Sequence, residues 1–178
     1  MNYDVIIIGG GSAGLASAIS LLKEKVGKIC LIDQNKYLGG ILLQCIHNGF
    51  GLTRYHQELT GPEYAEKLIE SINNITIKNE TTVLKISQDK KVYLVNESLG
   101  YHTISAKAII LATGCLERTW GKILLPGDRP SGILTAGLAQ KYLNHYGYTI
   151  GKRIFILGSG DIGLIMARRL TLSGAKVL

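Results

Sequence analysis

At 178 residues the chain can bury one good core but is short for two complete α/β domains. Hydrophobic residues make up 46% and charged residues 19%, which excludes a disordered chain, and three scattered cysteines exclude a disulfide framework or a zinc ribbon. A net charge of +7, spread without a basic tract, argues against a nucleic-acid partner and leaves room for a phosphate-bearing one.

Val5 to Leu22 is an uncharged run of eighteen residues, long enough to suggest a membrane span. Its centre, Gly9-Gly10-Gly11-Ser12, would break an apolar helix, and Asp4 stands where a signal peptide needs positive charge. The run reads instead as a strand (Asn2–Ile8), a turn and a helix (Ser12–Lys25), followed by a buried strand (Lys28–Ile32). With no Cys-x-x-Cys pair, the chain is expected to be cytoplasmic and without a membrane span.

Glycines at 39, 40, 49, 51 and 61 punctuate a less regular stretch before a helix at Pro62–Asn73. Short β-rich runs follow at Ile75–Lys78, Thr82–Ser87, Val92–Val95 and His102–Ile104. They suggest an antiparallel meander over about 75–105. Ala108–Leu111 reads as another buried strand. A connector carrying Pro126 and Pro130 leads to a helix around Leu134–Tyr146, a strand at Arg153–Leu157, a helix at Asp161–Leu172 and the start of a strand at Ala175–Leu178.

The last part repeats the first without a gap. Val5-Ile6-Ile7-Ile8-Gly9-Gly10-Gly11-Ser12-Ala13-Gly14-Leu15 aligns with Ile154-Phe155-Ile156-Leu157-Gly158-Ser159-Gly160-Asp161-Ile162-Gly163-Leu164. Each copy is a strand, a Gly-x-Gly-x-x-Gly turn and a helix. In such a unit the first glycine turns the chain, the second admits a pyrophosphate and the third lets the helix approach the strand. Two copies mean two dinucleotides, or one dinucleotide and a duplicated scaffold. In the first copy Asp33 lies nineteen residues after Gly14, where a carboxylate can accept from a ribose diol. In the second, the equivalent position falls beyond Leu178, so the residue separating NAD from NADP is not in view and the chain reads as a fragment.

The order Gly9–Gly14 with Asp33, Gly39-Gly40, Ala112-Thr113-Gly114 after an apolar strand, and Gly158–Gly163 resembles the pyridine nucleotide-disulfide oxidoreductase-like flavoproteins over essentially the whole chain. The resemblance implies an α/β fold: a Rossmann-like three-layer FAD/NAD(P)-binding architecture with a parallel sheet and an antiparallel β-meander. It divides the chain into an FAD-binding domain (1–118), a connector and helix (119–150) and the start of an NAD(P)-binding βαβ unit (151–178). It implies FAD contacts at Gly9, Gly11, Ser12, Ala13, Gly14, Asp33, Gln34, Gly39, Gly40, Val83 (with Thr82), Ala112, Thr113 and Gly114. NAD(P)H contacts are implied at Gly158, Gly160, Asp161, Ile162 and Gly163.

The stretch from Ala112 through Thr119, with Pro126-Gly127 and Gly132–Gly137, looks closest to the FAD subunits of sarcosine, opine and other amine or polyol dehydrogenases. The implied activity is an FAD-dependent oxidoreductase passing electrons between NAD(P)H or a small organic substrate and an acceptor. The alternative is a non-catalytic flavin-binding subunit or an inactive piece of a longer flavoenzyme. Partners would be a small-molecule substrate or an electron-acceptor subunit, in a homo- or hetero-oligomer.

The sequence departs from the disulfide reductases in lacking a redox cysteine pair: Gly39-Gly40 is followed by Cys45 alone. Cys45, two residues from His47, is a redox candidate, against a buried small residue as the plainer reading. Cys115 follows the flavin-proximal Gly114, and Cys30 reads as core. His56, His102 and His145 have no metal-ligand spacing and are expected at the surface. Glu117-Arg118 is expected to form an ion pair or a domain-junction contact. No catalytic acid or base is assigned.

Overall fold

The computed structural model describes residues 2–128 and 130–178. They form two units: Met1–Leu43 with Asn48–Gly114, and Gln44–His47 with Cys115–Leu178.

In chain order the first unit contains β1 (Asn2–Ile8), α1 (Ser12–Lys23), β2 (Ile29–Ile32), β3 (Asn48–Phe50), α2 (Leu52–Tyr55), β4 (Leu59–Thr60), α3 (Gly61–Glu70), β5 (Thr76–Lys78), β6 (Thr81–Ile86), β7 (Lys91–Asn96) and β8 (Gly100–Leu111). A 3-10 turn spans Gly40–Gln44. Among the described residues six strands make one sheet in the order β5-β2-β1-β8-β7-β6. β5, β2, β1 and β8 run parallel, while β6, β7 and β8 form an antiparallel meander.

The unbroken apolar runs of β1 and β2 follow from burial on both faces. Val5, Ile7, Ile29 and Leu31 pack against Leu15, Ala18 and Ile19 of α1 and Leu68 of α3. Ile6, Ile8, Cys30 and Ile32 face the meander through Val92, Leu94 and Ile104. Helices, sheet and meander are the three layers, and each fully buried Leu or Ile contributes about 1.5–3 kcal/mol. α3 starts where Glu63 turns back to accept from both the backbone N–H and the hydroxyl of Thr60, each at 2.7 Å.

Two strand expectations change in the first unit. Ile75–Lys78, expected in the meander, is instead β5, a parallel edge strand beside β2. The crossover through α3 returns the chain in the direction of β2, which a run of β-formers does not reveal. His102–Ile104 and Ala108–Leu111, expected as separate strands, are one. The first half of β8 pairs with β7 and its second half with β1, with Ser105 paired to both.

The second unit contains α4 (Ala136–Gln140), β9 (Arg153–Ile154), α5 (Asp161–Leu172) and β10 (Lys176–Val177). Ala139 and Leu143 share one core with Met166 and Leu170. The first unit closes at Gly114. The expected 134–146 helix is α4 continued by a π turn over Lys141–His145, which a three-and-four periodicity cannot register. The expected 153–157 strand shrinks to Arg153–Ile154; Phe155 and Leu157 are each 72% exposed. No helix among the described residues is long and apolar enough to cross a membrane.

Candidate functional site

The first glycine turn is built by exclusion. Gly9 has φ +106°, and a Cβ there would overlap the carbonyl of Ala112. A Cβ on Gly14 would overlap Gly9 O, so the third glycine is what lets α1 sit against the turn. Gly11, by contrast, opens onto space: the nearest heavy atom to its absent Cβ is Gly40 Cα at 4.0 Å. Gly11 is also the N-cap of α1, which has no side-chain cap and no acid in its first turn. Helix geometry leaves the N–H groups of Ser12, Ala13 and Gly14 without intrahelical acceptors, at the positive end of the dipole. Ser12 and Ala13 are exposed. An anion fits this place and a side chain is not needed to fill it.

Asp33 holds the turn in shape. Its Oδ2 accepts from Gly10 N at 2.6 Å, and its Oδ1 accepts from Asn35 N at 2.7 Å and Asn35 Nδ2 at 2.9 Å. The carboxylate is 7% exposed. Three of its roughly four acceptor positions are therefore taken within the protein, which leaves about one for a ribose hydroxyl. Gln34, beside it, is exposed. Gly39 and Gly40, at φ +117° and +55°, close the other side. Gly39 N donates to Gly10 O at 2.8 Å, and Gly11 and Gly39 form a parallel bridge.

Ala112, half-buried, continues β8 by donating to Ile8 O at 2.8 Å. Thr113 and Gly114 are exposed, and Gly114 has φ +69° with nothing within 4 Å of its absent Cβ. Thr82 and Val83 lie on β6, paired with Val95 and Leu94, where the ladder shifts register before Lys85.

The second glycine turn is looser. Gly158 has φ +123°, yet a Cβ on Gly158 or Gly160 would meet nothing within 4 Å, and one on Gly163 would lie 3.1 Å from Gly158 O. Gly160 is the N-cap of α5, but here Asp161 occupies the first turn. A carboxylate in the first turn already offsets part of the helix dipole. Ile162 is exposed.

All three cysteines are free. Burial pushes the Cys30 thiol up to about 11, and burial also raises that of Cys45. A raised thiol is the opposite of an activated thiolate. Cys115 is exposed. His56 and His145 are exposed as expected, but His102 is half-buried, with Nδ1 3.1 Å from Gly100 O. No cluster among the described residues could hold a metal.

Glu117 makes no ion pair with Arg118 among the described residues. It accepts from Thr135 Oγ1 at 2.6 Å and Gly137 N at 2.7 Å, capping α4. Sequence reading also missed a buried amide pair in the second unit, Gln44 Nε2 donating to Gln140 Oε1 at 3.0 Å and to Gly137 O at 3.1 Å. Asn144 Nδ2 donates to Gln44 O at 2.9 Å, and Arg169 Nε donates to Asn144 Oδ1 at 3.0 Å. Gln44 and Gln140 stand 96 positions apart, so no local pattern links them.

A mostly parallel sheet with this glycine turn at the end of its central strand is the fold of the FAD/NAD(P)-binding flavoproteins. The L-proline dehydrogenase of P. horikoshii superposes with a TM-score of 0.78 at 24% identity, over 100% of this chain and 35% of that one. The family model for pyridine nucleotide-disulphide oxidoreductases matches residues 3–178, and the chain belongs to that family. It is 26% identical to one of the subunits of an opine oxidase from Agrobacterium tumefaciens (strain Ach5), over 99% of this chain and 36% of that relative. It is 27% identical to a thioredoxin reductase of Peptoclostridium acidaminophilum, over 98% of this chain and 53% of the relative. The chain thus spans about a third of the first relative's length and about half of the second's.

Proposed function

We propose that the first unit holds FAD and the second receives NAD(P)H, in an oxidoreductase that passes electrons between NAD(P)H or a small organic substrate and an acceptor. The observation that carries this reading is the open space at Gly11, at a helix N-terminus without a cap or an acid. The N–H groups of Ser12, Ala13 and Gly14 would hold the pyrophosphate, and the remaining acceptor position of Asp33 a ribose hydroxyl. Thr113, Gly114 and the Thr82–Val83 backbone would line the rest of the cofactor, and Gly158, Gly160, Ile162 and Gly163 the nicotinamide nucleotide. Bound FAD supplies the hydride chemistry. The chain contributes position and charge, and no side chain here is assigned as acid or base. Burial raises the Cys45 thiol, and no second cysteine stands near it in the sequence, which argues against dithiol chemistry. The opine oxidase relative is named as one subunit of its enzyme, which supports a hetero-oligomer. Three free thiols suit a reducing, cytoplasmic setting.

A second reading, a flavin-binding subunit that does not use NAD(P)H, is favoured by Asp161 in the first turn of α5. One experiment separates the two: an anaerobic visible spectrum of the chain reconstituted with FAD and freed of excess, before and after NADH and then NADPH. Retained flavin that bleaches supports the first reading, and retained flavin that does not bleach supports the second. In the same assay Gly11→Ala is expected to lower flavin retention while leaving the fold intact. A chain that retains no flavin, or retains it equally with Gly11→Ala, overturns the assignment of FAD to this turn.

A further inference from the structure

The amide pair buried in the second unit has only one possible arrangement. Gln140 is 2% exposed and Gln44 is 8% exposed. Gly137 O can only accept, so Gln44 turns its Nε2 toward it at 3.1 Å, and the same nitrogen requires Oε1 of Gln140, at 3.0 Å. Turning either amide over would set two oxygens or two NH2 groups against each other. This orientation leaves Gln140 Nε2 buried with no hydrogen-bond partner. A buried donor in that state destabilises the fold that contains it.

The backbone around the pair is held as closely. The Gln44 carbonyl accepts from Asn144 Nδ2 at 2.9 Å, and Arg169 Nε, which can only donate, fixes Asn144 Oδ1 at 3.0 Å. Gly137 N donates to Glu117 Oε1 at 2.7 Å, and a Cβ on Gly137 would lie 2.6 Å from that carboxylate. Gln44 also opens a short segment, Gln44–His47, that belongs to the second unit, while the chain through Leu43 and from Asn48 belongs to the first. The apolar cluster of Ala139, Leu143, Met166 and Leu170 packs α4 and its π turn against α5. Apolar contact is non-directional and does not select where a neighbouring segment must lie. The amides supply that direction.

We infer that Gln44 and Gln140 are positioning residues: they fix the Gln44–His47 segment in one place on the first turn of α4, at a net loss of stability. What they position is the stretch carrying Cys45 and His47. The orphaned donor of Gln140 marks the pair as a device for uniqueness, because two apolar side chains of similar size would fill the same space with nothing left unpaired. Gly137 O would keep its helical partner, the Lys141 N–H, in their absence. The inference is independent of the cofactors assigned to the two glycine turns.

The test compares the whole chain with Gln44→Leu and with the double variant Gln44→Leu/Gln140→Leu, by thermal midpoint and by alkylation with N-ethylmaleimide resolved for each thiol by mass spectrometry. Cys115, exposed, sets the fast reference and Cys30, buried, the slow one. Gln44→Leu is expected to lower the midpoint, since both polar groups of the Gln140 amide are then unpaired. The double variant is expected to regain the midpoint of the parent chain or exceed it. Its Cys45 is nevertheless expected to react about tenfold faster relative to Cys115, the margin of one net hydrogen bond no longer closing the segment. A purely structural pair would move midpoint and Cys45 reactivity together. A double variant less stable than the parent chain overturns the inference, because the pair then serves stability. Unchanged Cys45 alkylation in the double variant overturns it as well, because the pair then positions nothing.

Discussion

At the first glycine turn a Cβ on Gly9 or Gly14 would overlap backbone, while at the second a Cβ on Gly158 or Gly160 would meet nothing within 4 Å. The two turns share spacing, strand and helix, yet their surroundings differ. The first is enclosed by Ala112, by Asp33 and by the bridge from Gly11 to Gly39. The second leads out of a two-residue strand with a single partner strand among the described residues. The motif is thus a strict packing requirement at Gly9 and Gly14, while in the second copy only Gly163 is crowded, its Cβ position lying 3.1 Å from Gly158 O. The first turn also leaves its helix dipole unanswered, whereas Asp161 answers the second.

The largest expected break in this comparison comes from the third glycine. Gly14→Ala should cost about 3 kcal/mol or more, since the clash is with backbone that has no rotamer to yield, whereas Gly163→Ala should cost under about 1 kcal/mol. Denaturant unfolding of both variants checks it, and equal losses would mean the two turns are packed alike. A smaller contrast separates the two acids. Asp33→Asn should lose about 2 kcal/mol, because an amide cannot accept from Gly10 and Asn35 together, while Asp161→Asn should stay within about 0.5 kcal/mol. If Asp161→Asn also tightens NADH binding, the carboxylate was repelling the phosphates.

The smallest effect is with pH. The Lys107 ammonium, then the Lys28 N–H, hold Asp4 below its ordinary 3.8, and the Thr60 N–H, then its hydroxyl, hold Glu63 below 4.5. Both groups belong to the first unit, and their contribution is full above those values and lost as pH falls through the folded ones. Hydrogen exchange of the β1 amides between pH 5 and 3 should show the first unit loosening, with a shallower slope in Asp4→Asn. Trp120, the one tryptophan, reports the second unit by fluorescence and should respond less over the same range.

Much of this molecule was legible in local pattern. The apolar run Val5–Ile8, the helical spacing after Ser12, the glycine spacings and the placement of Asp33 are each set by neighbours within a few residues or one βαβ unit, where propensity and periodicity act. What lay beyond reach depended on long-range meeting. β5 joins the parallel sheet because α3 carries the chain across it, and β8 runs unbroken because Ser105 is paired on both sides. Asp33 grips Gly10 across 23 positions, so a residue read as a ribose acceptor spends most of its hydrogen-bonding capacity on the turn. Glu117 was read beside Arg118 but caps a helix 20 positions on, and Gln44 finds Gln140 across 96. Backbone preferences and hydrophobic period are local properties of a sequence. Which buried polar group finds which partner is decided only when the core brings them together, because leaving either one unpaired costs more than any local preference supplies.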